Sequence, residues 1–467
     1  MNATAGRLRT FGRRVKALER RPVLQWDVRL SALLLTALAP AALILAATPL
    51  SPEQRRLNLE SFDYVWKTVR DKHWDPKLGG VDWQAVRDEL RPKMEVAATD
   101  DASRKVMVDM LQRLHQTHFG VIPADAYQTL HGKPGGSAGS SDPVGVGQTG
   151  IEVQIASGRA IVTSVAPDSA AQAAGVQPGW AVVRVDHTDV APIINRLSGI
   201  SDNPRNAELM IARAVRGRLD GDVGTEVTVE FHDINQKAIT KSLTRRVEPG
   251  ELTRFGFLPP MVVRIESKKL AGGAEYIRFN LFLQPDIVVT RFGEAIHECG
   301  HCPGVIIDLR GNPGGIGAMA MGMAGFLISK PDQKLGMMYL RSLPVRFVIF
   351  PRAEVYDGPV AVLVDGFTAS TSEILAGGLQ DLKRARIFGQ RTAGAALPSQ
   401  IEKLPNGDGF QYAVANYISE GGRQLEGNGV TPDVVVPFDR QALSEGRDPV
   451  LEAALDWVRQ RHKGDTK

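Results

Sequence analysis

Two short runs, Gly304–Leu309 (GVIIDL) and Val360–Asp365 (VAVLVD), are apolar at almost every position rather than at every second one. A strand with one face in water alternates, so a continuous apolar run means a strand covered on both faces, the habit of parallel sheets. Each run passes into a turn of glycines or small residues and then a helix-compatible stretch, the strand–turn–helix order of an α/β layer. The chain from 251 to 440 therefore reads as an α/β core, and 441–467 as a C-terminal helix. Chemistry in such sheets gathers at the turns that follow the strands.

The other segments behave differently. From Pro52 to about Pro123, apolar residues recur every three to four positions, as in FDYVWKTVRDKHW and VMVDMLQRLHQTHF, which predicts a helical subdomain over 51–131. Residues 132–143 open a Gly/Ser/Pro-rich stretch and read as a linker. Over 144–247 the pattern turns to short alternating strands, GIEVQI and AIVTSV among them. A strand ending at Val165, a helix start at Pro167 to Ala170, the AGVQPG turn and the strand Ala181–Asp186 resemble a PDZ domain. That resemblance implies an open sheet edge that takes up an extended peptide, with Gly150, Ile151 and Val153 as the peptide-binding positions.

The 467 residues, 43% hydrophobic and 23% charged, are an ordinary globular composition. The net charge of +4 invites a nucleic-acid partner until the charges are located. Residues 1–29 carry eight basic side chains against Glu19 and Asp27, a surplus of +6, so the remainder stands at about −2. No basic stripe is left to bind nucleic acid. The basic leader (1–29) precedes LSALLLTALAPAALILAA, and 30–50 reads as an export signal or membrane anchor, cleaved or uncleaved. The rest of the chain is then expected in the periplasm or outside the cell. The two cysteines, Cys299 and Cys302, spell CGHC but close a helix-like stretch instead of opening one. They read as a local disulfide or two free thiols, not as a redox centre or a metal site.

Two turns carry the chemistry. DLRGNPGG, Asp308 to Gly315, aims backbone N–H groups at a helix N-terminus. DGFTASTSEIL, from Asp365, delivers Ser370 to the start of a helix that Ser372 and Glu373 are expected to open. Together the turns resemble the tail-specific, or C-terminal processing, serine peptidases, whose D-x-R-x-N-x-G-G and small-Ser-small-Ser-Glu-Ile turns follow a PDZ domain. The resemblance covers nearly all of 55–440. It implies a crotonase/ClpP-like α/β core, Ser370 as nucleophile, an oxyanion hole from Gly314, Gly315 and Thr371, and Asp381 in a supporting place.

One departure bears on mechanism. The best-known branch follows with T-F-G-K-G, whose lysine is the base; here Thr392-Ala393-Gly394-Ala395-Ala396 has alanine instead. The branch typified by the tricorn protease core uses histidine and glutamate, and RLHQTHFG and LEGNGVTPD supply His118, after Thr117, and Glu426. His115 is the neighbouring alternative to His118. The implied triad is Ser370, His118 and Glu426, supported by Thr117, with polypeptides as substrates and without metal or cofactor. Two other readings stay open: a non-catalytic relative that binds peptides or apolar ligands in the same cleft, and a crotonase-like acyl-CoA enzyme.

Overall fold

The computed structural model describes residues 50–124, 146–198, 204–253 and 261–465. The basic leader, nearly all of the apolar segment 30–50, and the linker 132–143 lie outside them. Among the described residues no helix is long and apolar enough to cross a membrane.

The N-terminal part consists of α1 (Pro52–Lys72), α2 (Trp83–Glu95) and α3 (Asp100–Gln112). Each starts at a side-chain cap: Ser51, Asp82 and Thr99 accept from the N–H groups of Gln54, Ala85 and Ala102. Phe62, Val65 and Val69 of α1, Leu90 and Met94 of α2, and Met107 and Met110 of α3 face one another. Leu404, Phe410 and Tyr412 complete this cluster from far along the chain. The strand β1 (Gly120–Ile122) makes the link. It pairs antiparallel with Gly409–Ala413, Gly120 opposite Gln411, while Arg104 donates to the buried Asp408 carboxylate at 3.0 Å.

The β-rich part is an antiparallel sheet in the order β2 (Ile151–Ala156), β3 (Arg159–Val165), β4 (Ala181–Val185), β5 (Glu226–His232), β6 (Ala238–Thr244). Its end strand β2 is crossed by α4 (Pro204–Leu219). A short helix, Ala170–Ala173, is capped by Ser169 at the expected place. Leu209, Ala212 and Val215 of α4 and Val153 and Ile155 of β2 share one apolar cluster with Phe367, Ala369, Ala393 and Ala395 from the α/β part. The two parts therefore share a core.

The α/β part holds β7 (Ile265–Lys269), β8 (Glu275–Phe279), α5 (Pro285–Cys299), β9 (Val305–Asp308), α6 (Gly317–Ala324), β10 (Val360–Val364), α7 (Thr371–Asp381), β11 (Arg386–Gly389) and β12 (Val434–Val435). These strands form a six-stranded sheet in the order β7-β8-β9-β10-β11-β12, parallel except between β7 and β8. β9 and β10 are buried at every position. Successive strand residues point to opposite faces, and the clusters sort accordingly. Val305, Ile307, Val360 and Val362 pack with Phe292 of α5, Met323 of α6 and Leu375 of α7. Ile306, Ala361 and Leu363 pack with Ala454 and Val458 of α8 (Pro449–Asp465). Cys299 and Cys302 form a disulfide at the end of α5, the first of the two alternatives left by the sequence.

Phe292 is fully buried and sits edge-on to Phe326 at 6.0 Å. Phe292→Ala is expected to destabilise the α/β part by about 3–5 kcal/mol. Tyr339→Ala, on an exposed side chain, is expected to change stability by less than about 0.5 kcal/mol. Urea unfolding of both variants checks the contrast.

Candidate active site

The two chemistry-bearing turns leave adjacent parallel strands: Asp308, the last residue of β9, lies opposite Leu363 of β10. Hydrogen bonds lace them together. Asp365 accepts from Gly311, Phe367 and Thr368 N–H groups, and the Thr368 hydroxyl donates to the Leu309 carbonyl at 2.9 Å. The Asn312 side chain donates to the Phe279 carbonyl and accepts from the Gly314 N–H, while its backbone carbonyl accepts from Ala369 N–H and the Ser372 hydroxyl. Ser372 is therefore not the helix cap that the sequence suggested. The helix begins at Thr371, and the buried Ser372 hydroxyl binds the two turns together instead.

Ser370 occupies the cap position itself, with φ 56° and ψ −122°. A residue with a Cβ carries strain of about 1–3 kcal/mol in so sparsely populated a region. What holds it there is Glu373, a fully buried carboxylate. One oxygen accepts from Ser370 N–H (3.0 Å) and Ala395 N–H (2.9 Å), the other from Gly394 N–H (2.8 Å) and the Thr392 hydroxyl (2.5 Å). Burial pushes Glu373 up to about 7, against the pull of these four donors. The sequence showed only an ordinary capping position here. Its partners come from the segment that carries the lysine in the other branch, so their approach is tertiary.

Gly314 has φ 94°, and a Cβ there would lie 2.7 Å from both the Ser370 Cβ and the Thr371 nitrogen. Its own N–H is engaged by Asn312, unlike the role expected for it. The N–H groups of Gly315 and Thr371 donate to no group among the described residues. Gly315 has φ 143°, a Cβ there would lie 2.3 Å from the Phe282 carbonyl oxygen, and the Thr371 hydroxyl donates to the Gly315 carbonyl at 2.8 Å.

His118 reaches the same cavity from the other end of the chain. Its φ is 61°, and it is fixed between α3 and β1. The preceding turn is anchored by the buried His73, which bonds to the Gln116 side chain (3.0 Å) and stacks on Phe119 (5.7 Å between centroids). Glu426 does not reach His118 directly. Its carboxylate accepts from Thr117 N–H (2.8 Å), the Thr117 hydroxyl (2.9 Å) and Ala396 N–H (3.0 Å). With its proton given to Glu426, the Thr117 oxygen accepts from His118 Nδ1–H at 2.8 Å, which fixes the tautomer and turns Nε2 away. Thr117 is thus the bridge rather than a side support. Burial pushes Glu426 up; burial and the charge of Arg213 push His118 down to about 4. His115 also lines the cavity.

The cavity measures about 1740 Å³ and is lined by Ser370, His118, Thr117, Glu426, Gly314 and Gly315, among others. Asp381 lies away from this lining, paired with Arg423 and accepting from Gly421 N–H. Gly150 has φ 82° and packs on Ser169, while Ile151 and Val153 have buried side chains. β2 is tied to the α/β part through Glu152, which accepts from Arg278 at 2.8 Å. Among the described residues, no cluster of three or more His, Cys, Asp or Glu is placed to hold a metal ion.

Residues 275–436 match the sequence model of peptidase family S41, and residues 57–112 that of the tricorn protease C1 domain. The chain is 25% identical over 443 residues to a carboxyl-terminal-processing protease of Synechocystis sp., covering 92% of this chain and 93% of that one. In fold it is similar to the photosystem II D1 C-terminal processing protease, with a TM-score of 0.56 at 22% identity over 87% of this chain and 98% of the other. Mature CPAF gives a TM-score of 0.59 at 15% identity, over 89% and 99%. The chain is a serine-type peptidase.

In this peptidase, Glu373 ties the serine turn to the 392–396 loop. Its raised pKa means that its contribution to stability is fully present below its ordinary value of 4.5 and is lost as pH rises through about 7. Glu373→Gln is expected to cost about 1–3 kcal/mol, because an amide hydrogen then faces backbone donors. It is also expected to flatten the fall in stability between pH 5 and 8, as read by urea unfolding across that range.

Proposed function

We propose that the peptidase is an endopeptidase of the C-terminal processing type that works through an acyl-enzyme, with Ser370 as nucleophile, His118 as base and Glu426 acting on His118 through Thr117. The observation that carries this reading is the chain of hydrogen bonds Glu426–Thr117–His118 in the cavity that Ser370 lines. His118 Nε2 takes the Ser370 proton as Oγ attacks the scissile carbonyl. The resulting oxyanion receives the N–H groups of Gly315 and Thr371, and the N-terminus of α7 adds a favourable dipole. Imidazolium then protonates the leaving amine; a water deprotonated by His118 attacks the acyl-serine, and Ser370 regains its proton as the acid departs. The Glu426 charge reaches the imidazolium through the Thr117 hydroxyl. This is the Ser-His-Glu branch on a crotonase/ClpP-like core.

A cavity of 1740 Å³ exceeds the about 300–1,000 Å³ of drug-sized sites and is roomy enough for a segment of polypeptide. The β-rich part is read as PDZ-like, with Gly150, Ile151 and Val153 along the strand that presents a peptide edge. Residues 30–50 direct the chain out of the cytoplasm, so its substrates are exported polypeptides.

The test is labelling of residues 51–467 with a serine-directed fluorophosphonate. Wild type should label, and Ser370→Ala and His118→Ala should not; labelling that survives Ser370→Ala overturns the assignment. Thr117→Val should lower kcat by about 10- to 100-fold and Thr117→Ser should restore most of it, since only the hydroxyl matters. With His118 held near 4, the acid limb of kcat/KM should lie well below pH 6.5, because the imidazole stays neutral, and competent as a base, until pH falls through that value. A limb at 6.5 or above would count against His118 as the base.

A further inference from the structure

The cavity that holds Ser370 has a wall contributed by the β-rich part. Arg205, Leu209 and Arg213 of α4, four residues apart and so on one face of the helix, all line it. Arg205 donates to the Gly427 carbonyl at 3.3 Å. Arg213 is different: among the described residues it makes no hydrogen bond or ion pair. Much of its surface is open to the cavity, yet surrounding protein strips enough water from it to lower its pKa.

The described residues lining this cavity include two carboxylates, and both are occupied. Asp109 pairs with Lys105 at 2.7 Å, and Glu426 accepts from Thr117 and Ala396. On α4 itself, Arg216 pairs with Asp220. A guanidinium on the cavity wall, with five N–H donors and no acceptor among the described residues, is open to a carboxylate. Arg213, His118 and Ser370 line one and the same cavity.

We propose that Arg213 is a specificity-determining residue of the catalytic cavity and holds a carboxylate of the bound polypeptide, borne either by an aspartate or glutamate side chain or by the chain's own C-terminus. An extended chain advances about 3.3–3.6 Å per residue, so moving an acidic side chain along a bound peptide shifts its carboxylate through the cavity in steps of that size. The inference rests on the peptidase reading of this cavity and names the substrate class it selects.

The experiment uses quenched fluorogenic peptides in matched pairs, Glu against Gln at successive positions with an amidated C-terminus, and a Gln-only set with free or amidated C-terminus. Wild type should cleave one carboxylate-bearing member with kcat/KM about 10-fold or more above its neutral twin. In Arg213→Gln that ratio should fall to near unity, Arg213→Lys should keep part of it, and Arg213→Glu should invert it in favour of Lys at the same position. A ratio that follows the residue position identifies a side chain as the source, and one that follows amidation identifies the C-terminus. Fluorophosphonate labelling of each variant establishes that its site is assembled, with Arg213→Lys and Arg213→Gln as independent routes. If wild type cleaves through Ser370 but treats the twins alike, or if the ratio survives Arg213→Gln and Arg213→Glu in labelled protein, this inference falls and the peptidase reading stands. Wild type that neither cleaves nor labels overturns both.

Discussion

A buried carboxylate, Glu373, is the fixed point around which the serine turn is arranged. It lies one helical turn beyond Ser370 and binds the backbone of that residue together with Thr392, Gly394 and Ala395. Four donors converge on two oxygens in a site without water access, so the loops that supply them have little freedom to move apart. The positive φ of Ser370 becomes tolerable because the surroundings over-determine it. The Asn312 network does the same for the neighbouring glycine turn, and a methyl group on Gly314 would force the two turns apart.

The histidine side of the cavity is organised by a second carboxylate that works at one remove. Glu426 is met by Thr117 rather than by the imidazole, and the hydroxyl relays both hydrogen-bond direction and charge. This arrangement puts a neutral residue between two ionisable ones. Neither has to share a proton with the other, which fits a histidine held neutral over a wide range and a carboxylate pushed upward by burial.

Much of this was legible in the sequence because it rests on local pattern. The runs at 304–309 and 360–365 read as doubly buried strands, and their alternate residues do pack on opposite faces. Ser370, His118, Thr117 and Glu426 were singled out by motif resemblance, and the structure brings them to one cavity. Four features were not legible. Glu373 does cap the helix, accepting from Ser370 N–H, but its other partners lie 19 to 22 positions further on and gave no local signal. Ser372 looked like a cap because the Asn312 carbonyl it binds lies 60 positions away. Arg213 sits in an unremarkable helical stretch, and only the packing of α4 against β2 turns that face toward the serine. The shared apolar cluster of the β-rich and α/β parts was equally invisible, because each half of it satisfies its own periodicity.

The hydrogen bonds between Thr117 and Glu426 join positions 309 residues apart. Almost the entire polypeptide must be present before that contact can form, and contacts of such separation come late because loop closure has to precede them. Thr117, and through it His118, therefore lacks its Glu426 partner in any chain that ends before that residue. On the proposed mechanism, a protease assembled in this order gains its activity only when folding has finished, and proteolytic competence becomes a report of that completion.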